Sequence, residues 1–71
     1  MNKWKFNEYM DKAGYTQKTL ATMLPMSKNT LNSKVNGKTD FKASEIVAVC
    51  QALEIADPNT VIDIFLSNKS Q

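Results

Sequence analysis

Few side chains in this sequence could form or break covalent bonds. It contains no histidine and a single cysteine, Cys50, and its carboxylates occur singly along the chain. A Cys/His zinc site, a Cys–His nucleophile pair and an internal disulfide are therefore excluded. A glycine-rich phosphate loop is also absent. We expect a protein that is not an enzyme and that needs neither a metal nor another cofactor. Cys50 falls on an apolar helical stripe and is interpreted as core packing rather than as a reactive thiol.

Hydrogen-bonding side chains are concentrated between Ser27 and Lys38 instead. A helix is predicted there, and one of its faces carries Lys28, Asn29, Asn32, Ser33 and Asn36. Asparagine and serine are mediocre helix formers, so helix propensity does not explain why several of them share an exposed face. Lysine can hydrogen-bond to guanine, and the asparagine amide can both donate to and accept from adenine. The chemistry that this face could perform is therefore recognition without covalent change.

Two short helices and a turn, within residues 16–38, must position that face. Thr16 is a good N-cap, and Thr19 stands where a Glu or Gln would complete a capping box. The first of the two helices is predicted from about Gln17 to Leu24, and Pro25 ends it because proline lacks an amide hydrogen and clashes with the preceding turn.

The second helix of the pair begins after Ser27, its predicted N-cap, and continues to about residue 35 or 36. Leu31 and Val35 are one turn apart and point inward. Gly37 follows its end, where glycine adopts the left-handed conformation easily. Two helices joined by a tight turn, with the second one polar outside, form the pattern of a helix-turn-helix, whose second helix can enter a DNA major groove.

Three further helices complete the expected bundle. Residues 3–13 carry an apolar stripe that Gly14 ends, and Trp4 is expected to cover one end of the core. Residues 43–53 would bury a second stripe made of Ile46, Val49, Cys50 and Leu53. Phe41 precedes this helix as a staple, and Glu45 lies in its first turn. Asp57 and Pro58 begin the last helix, which continues to about residue 66. We predict an all-α fold, a compact bundle of about five short helices in one domain spanning residues 1–71, with a polar tail at 67–71.

The last helix has more apolar residues than one stripe can use. They are Val61, Ile62, Ile64, Phe65 and Leu66. One face must close the domain, and the surplus predicts a contact with another protein, most simply in a homodimer. The alternative is a small core that wraps this helix more fully.

Charge is distributed unevenly along the chain. Its net charge is only +2, but residues 12–42 contain six lysines against one acid, whereas residues 43–71 contain four acids against one lysine. A basic middle segment is expected where one face meets phosphate, although a solvated lysine-rich surface is the simpler alternative. The apolar runs are too short to span a membrane, and the charged N-terminal residues do not form a secretory signal. We expect a cytoplasmic protein.

Several features in sequence order resemble the Cro/cI-type helix-turn-helix family (XRE-like) of bacterial and phage repressors, particularly the short Cro-like regulators of temperate phages. They are the segment GYTQ at 14–17, Leu20–Ala21 and Leu24, Met26–Ser27, Leu31 and Val35, the segment NGK at 36–38, Ile46, Val49, Ala52–Leu53 and Ile55. The chain departs from the family in two respects. Pro25 stands in the turn where glycine is usual, and the chain lacks arginine, the commonest side chain for guanine.

The resemblance implies a lambda-repressor-like domain that binds operator DNA as a dimer and takes part in a phage lysis–lysogeny switch. Residues implied to contact bases are Lys28, Asn29, Asn32 and Ser33, and those implied to contact phosphates are Gln17, Lys18, Asn36, Lys38 and Lys42. Each of them could instead be an ordinary solvated surface residue. The alternative for the whole protein is a modulator or antirepressor that keeps the fold and acts by complexing a partner phage repressor.

Overall fold

The computed structural model describes residues 1–66 and places five helices in them. These are α1 (Lys3–Ala13), α2 (Gln17–Thr22), α3 (Lys28–Val35), α4 (Ala43–Leu53) and α5 (Pro58–Phe65). The described residues contain no strand, and the predicted all-α bundle is confirmed. The polar tail predicted at 67–71 lies outside the described residues. Within the described part of the chain, no helix has the length and apolarity needed to cross a membrane.

Side-chain caps begin the helices of the helix-turn-helix where the sequence predicted them. The Thr16 hydroxyl accepts a hydrogen bond from the Thr19 amide at 3.2 Å, and the Thr19 hydroxyl accepts one from the Thr16 amide at 2.8 Å. A threonine thus completes the capping box in place of Glu or Gln. Ser27 likewise caps α3 by accepting from the Thr30 amide at 3.1 Å.

The turn between α2 and α3 differs from the prediction. Helix α2 ends at Thr22, not at about Leu24, and so stops three residues before Pro25. The Met23 amide donates to the Leu20 carbonyl at 2.8 Å, which tightens the last turn. In residues 1–66 the residues with positive φ are Gly14, Gly37 and Glu54, so the turn at Pro25 contains none. A shortened α2 therefore takes the place of the turn glycine that is usual in the family that the sequence resembles.

The core takes one fully buried side chain from each helix. These residues are Phe6, Leu20, Leu31, Val49 and Ile64. Phe41 and Phe65 pack beside Phe6, with ring centroids 6.3 Å from it in both cases and 5.2 Å from each other. Five helices converging on one apolar centre leave little tolerance for a change in the direction of any one of them.

Two expectations about apolar residues are corrected. Trp4 does not cover the core, because its side chain is 82% exposed. It precedes the buried Phe6 by two residues, which turns it about 200° around the helix to the opposite face. Ile46 and Cys50 are only partly buried, whereas Val49 and Leu53 on the same helix are buried.

The capping box yields a prediction about stability. Thr16→Ala removes the hydroxyl that accepts from the Thr19 amide, and we expect a loss of about 1 kcal/mol in the free energy of unfolding. Thr39→Ala is the matched control, because Thr39 is exposed in the connection between α3 and α4 and caps no helix. Urea denaturation of both variants measures the difference, and equal stabilities would contradict the assignment.

Candidate nucleic-acid interface

Helix α3 has a buried side and an exposed side. Its buried residues are Leu31, Lys34 and Val35. Of the four residues implied to contact bases, Lys28, Asn29 and Asn32 are exposed and Ser33 is partly buried. The structure thus brings the predicted set together on the outer side of one short helix, where it could meet the edges of bases.

The residues implied to contact phosphate border this helix. Lys18, Asn36, Lys38 and Lys42 are exposed, and Gln17 is partly buried at the start of α2. Gln17 and Lys18 open α2, whereas the other three follow the end of α3. They could contact the phosphate backbone of DNA on two sides of α3.

Lys34 has a role that the sequence interpretation missed. It was counted with the basic middle segment, but its side chain is buried, with 8% of the residue exposed. Its ammonium lies 2.9 Å from the Asp40 carbonyl oxygen and 3.2 Å from the Glu45 carboxylate. The charge of Lys34 is therefore matched inside the fold. Its position three residues after Leu31, on the buried side of the helix, was the available signal.

Glu45 holds three segments together. Its carboxylate accepts a hydrogen bond from the Lys42 amide at 2.8 Å while it pairs with Lys34. The hydrogen bond from Lys42 lowers the pKa of Glu45 below the usual 4.5, and Lys34 lowers it further, against an opposing effect of desolvation. The C-terminal half of α3, the connection at 36–42 and the first turn of α4 are thereby fixed to one another.

A second hydrogen-bonded group lies on the exposed side. The Asn36 amide nitrogen donates to the Asn32 side-chain oxygen at 2.9 Å, and the Lys3 ammonium lies 3.4 Å from the Asn36 side-chain oxygen. Lys3 begins α1 and was not among the predicted site residues. Nothing in the sequence pattern relates it to a residue 33 positions away.

Comparison with known families identifies the domain. Residues 5–64 match the Cro/C1-type HTH DNA-binding domain. The chain belongs to this family. Membership establishes a DNA-binding domain of helix-turn-helix type, as the sequence resemblance implied. Comparisons with curated proteins and with solved structures find no significant match.

The apolar residues of α5 are divided between the core and the surface of this Cro/C1-type domain. Ile64 is fully buried in the core, and Val61 and Phe65 are partly buried. Ile62 and Leu66 remain 50% and 63% exposed. Ile64 therefore cannot touch a partner while the domain stays folded as described, and the surplus apolar surface predicted on this helix consists mainly of Ile62 and Leu66.

The lowered pKa of Glu45 predicts how stability depends on pH. A carboxyl whose pKa is lower in the folded protein stabilises the fold above its unfolded pKa, and this contribution disappears as the pH falls through the folded pKa. Glu45→Gln should therefore lower stability at neutral pH. It should also reduce the loss of unfolding free energy between about pH 6 and about pH 3, measured by urea denaturation.

Glu8→Gln is the control for this experiment. Glu8 pairs with Lys12 at 3.7 Å in an exposed position, where an ion pair contributes little. The free energy of unfolding of the Glu8→Gln protein at neutral pH should stay close to that of the original protein. A Glu45→Gln protein whose acid-induced loss equals that of the original would contradict the role given to Glu45.

Proposed function

We propose that this protein is a sequence-specific transcriptional regulator, a Cro-like phage repressor, that inserts α3 into the major groove of operator DNA. The observation that carries the proposal is the division of α3. Leu31 and Val35 hold one side in the core, while amide and ammonium groups stand exposed on the other. In a domain of a DNA-binding family, an exposed polar helix after the turn suits a recognition helix.

Each part of the interface has a proposed role. Lys28, Asn29, Asn32 and Ser33 contact base edges, whereas Gln17, Lys18, Asn36, Lys38 and Lys42 contact phosphates. The phosphate contacts supply affinity and a strong dependence on salt, but little sequence preference. Because the chain lacks arginine, lysine and asparagine must supply the base contacts. The protein would act in the host cytoplasm by occupying a promoter and excluding polymerase.

Operator binding by a homodimer fits the exposed part of α5. Two copies joined through Ile62 and Leu66 would present two recognition helices, which must lie about 34 Å apart to reach successive major grooves. Apolar side chains that the core leaves uncovered could supply such a contact.

A second candidate is a modulator of the same fold that complexes a partner phage repressor. Two observations favour it. The charge of Lys34 is matched by Glu45 and adds little to a basic face, and Ile62 and Leu66 give α5 an exposed apolar surface. Such a protein would bind the partner repressor through α5, instead of binding a second copy of itself.

Binding to DNA tests the first proposal. The double variant Asn29→Ala and Asn32→Ala should weaken binding to the preferred duplex by about 10-fold or more, because each good base contact contributes about 1–3 kcal/mol of discrimination. Fluorescence anisotropy with a duplex selected from the promoter region beside its own gene measures this, over a range of salt concentrations.

Asn59→Ala is the matched control, since Asn59 is an exposed asparagine near the start of α5. It should bind like the original protein. Equal affinity of the double variant and the control would contradict the proposed recognition helix. Failure of the original protein to bind any DNA, together with a stable complex with the neighbouring repressor, would favour the second candidate.

Self-association tests the role of α5. Ile62→Asp places a charge on the proposed contact and should weaken the homodimer by about 10-fold or more in sedimentation analysis. Val47→Asp is the control, because Val47 on α4 is 55% exposed, close to the 50% of Ile62. If both variants dimerise as the original does, the contact lies elsewhere. A monomeric original protein would contradict the homodimer.

A further inference from the structure

The first residue of α1 lies beside the end of the proposed recognition helix. The Lys3 ammonium is 3.4 Å from the side-chain oxygen of Asn36, which follows α3 directly. We infer that Lys3 is a further phosphate contact, and that it binds the stretch of DNA backbone that passes the C-terminal end of α3. This inference rests on the proposed function, because it extends the proposed interface to a helix that contributes none of its other residues.

The contacts of Asn36 show which side of α3 Lys3 approaches. The Asn36 amide nitrogen donates to the Asn32 side-chain oxygen at 2.9 Å, and both asparagines are exposed. The residues of α3 that pack inward are Leu31, Lys34 and Val35. The Lys3 side chain therefore adjoins the side of α3 that is proposed to meet DNA.

The backbone at the start of α1 is held in place independently of the Lys3 side chain. The Asn2 amide donates to the Ile64 carbonyl at 2.7 Å, and the Asn2 side chain caps α1 by accepting from the Lys5 amide at 3.1 Å. Lys3 itself is exposed. Because its stem is long and flexible, the ammonium can move from Asn36 to a neighbouring phosphate while the backbone stays where it is.

The charges on α1 leave Lys3 available to an anion. Lys5 pairs with Asp63 at 3.3 Å, and Lys12 pairs with Glu8 at 3.7 Å. Within residues 1–66 no carboxylate pairs with the Lys3 ammonium, and the first turn of α1 contains no acidic residue. A phosphate at this place would therefore meet a positive charge that the described part of the fold does not neutralise.

Asn36 and Lys3 can bind phosphate together. An ammonium has three donors, so a contact with the neutral Asn36 oxygen leaves donors for a phosphate oxygen. The Asn36 NH₂ group uses one hydrogen for Asn32 and keeps its second. Since Asn36 is itself proposed to contact phosphate, the two side chains should bind the same phosphate or adjacent ones.

Family membership does not supply this role. The match to the Cro/C1-type domain begins at residue 5, and Lys3 lies before it. The basic segment recognised in the sequence, residues 12–42, does not include Lys3 either. Its place in the interface follows from the packing of α1 against the rest of the bundle.

The salt dependence of DNA binding tests the inference. Fluorescence anisotropy with the preferred duplex compares the original protein with Lys3→Met, Lys3→Arg and Lys12→Met. Each phosphate that a protein neutralises contributes about 0.9 to the slope of log K against log salt concentration. Lys3→Met should reduce the magnitude of the slope by about this amount, whereas Lys3→Arg, which keeps the charge, and Lys12→Met should retain the original slope. The preferred sequence should be the same for all four proteins, because a phosphate contact carries no base preference.

Duplexes in which single phosphates are replaced by uncharged methylphosphonates locate the contact. The original protein and Lys12→Met should bind more weakly when the phosphate beside the end of α3 is neutralised. Lys3→Met should be insensitive to neutralisation at one position, and Asn36→Ala should be insensitive at that position or an adjacent one.

Three results would overturn the inference. A Lys3→Met protein that binds more weakly but keeps the original salt slope would show that Lys3 only supports the fold. A Lys3→Met protein that stays sensitive at every phosphate would show that its ammonium contacts none. In both cases the proposed function stands if the Asn29→Ala and Asn32→Ala double variant loses affinity. If the original protein binds no duplex, the proposed function fails and the role of Lys3 fails with it.

Discussion

The burial of Leu31 and Val35 in the core is the interaction on which the geometry of the proposed DNA-binding face depends. Helix α3 has only eight residues, and an isolated helix of that length is not stable in water. Its direction is therefore set by what its apolar side contacts, chiefly α2 and the shared core. The positions of Asn29 and Asn32 on the opposite side follow from this packing, and the side chains themselves contribute little to it.

A second constraint acts at the far end of α3. The Lys34 ammonium contacts both Glu45 and the Asp40 carbonyl, and these contacts join the end of the helix to the following connection and to α4. A buried ion pair is weak evidence for stability, because desolvation opposes the attraction. The Lys34–Glu45 pair instead fixes geometry, because it determines where Lys38 and Lys42 of the 36–42 connection lie relative to the exposed side of α3. The same side then carries the Asn36 contact with Asn32.

Local signals in the sequence predicted most of the fold, and long-range contacts account for what it did not predict. Caps at Thr16 and Ser27 and left-handed glycines at 14 and 37 fixed helix ends correctly, because each acts within a few residues. Pro25 indicated only where α2 could not continue, and not that the helix would end earlier at Thr22. The inward direction of Lys34 and the burial of Ile64 depend on partners distant in sequence. Helical period places Lys34 on the side of Leu31, but it does not identify Glu45 and the Asp40 carbonyl as the groups that its ammonium contacts there.

Mapping the DNA-binding surface of the original protein by ¹⁵N–¹H spectroscopy tests the central claim most directly. The titrant is a duplex obtained by selection from the promoter region beside its own gene. The account predicts that the largest changes fall on backbone amides of Gln17, Lys18 and residues 28–33, with smaller changes at 36–42. Changes confined to α5 would contradict the claim that α3 is the surface that reads DNA.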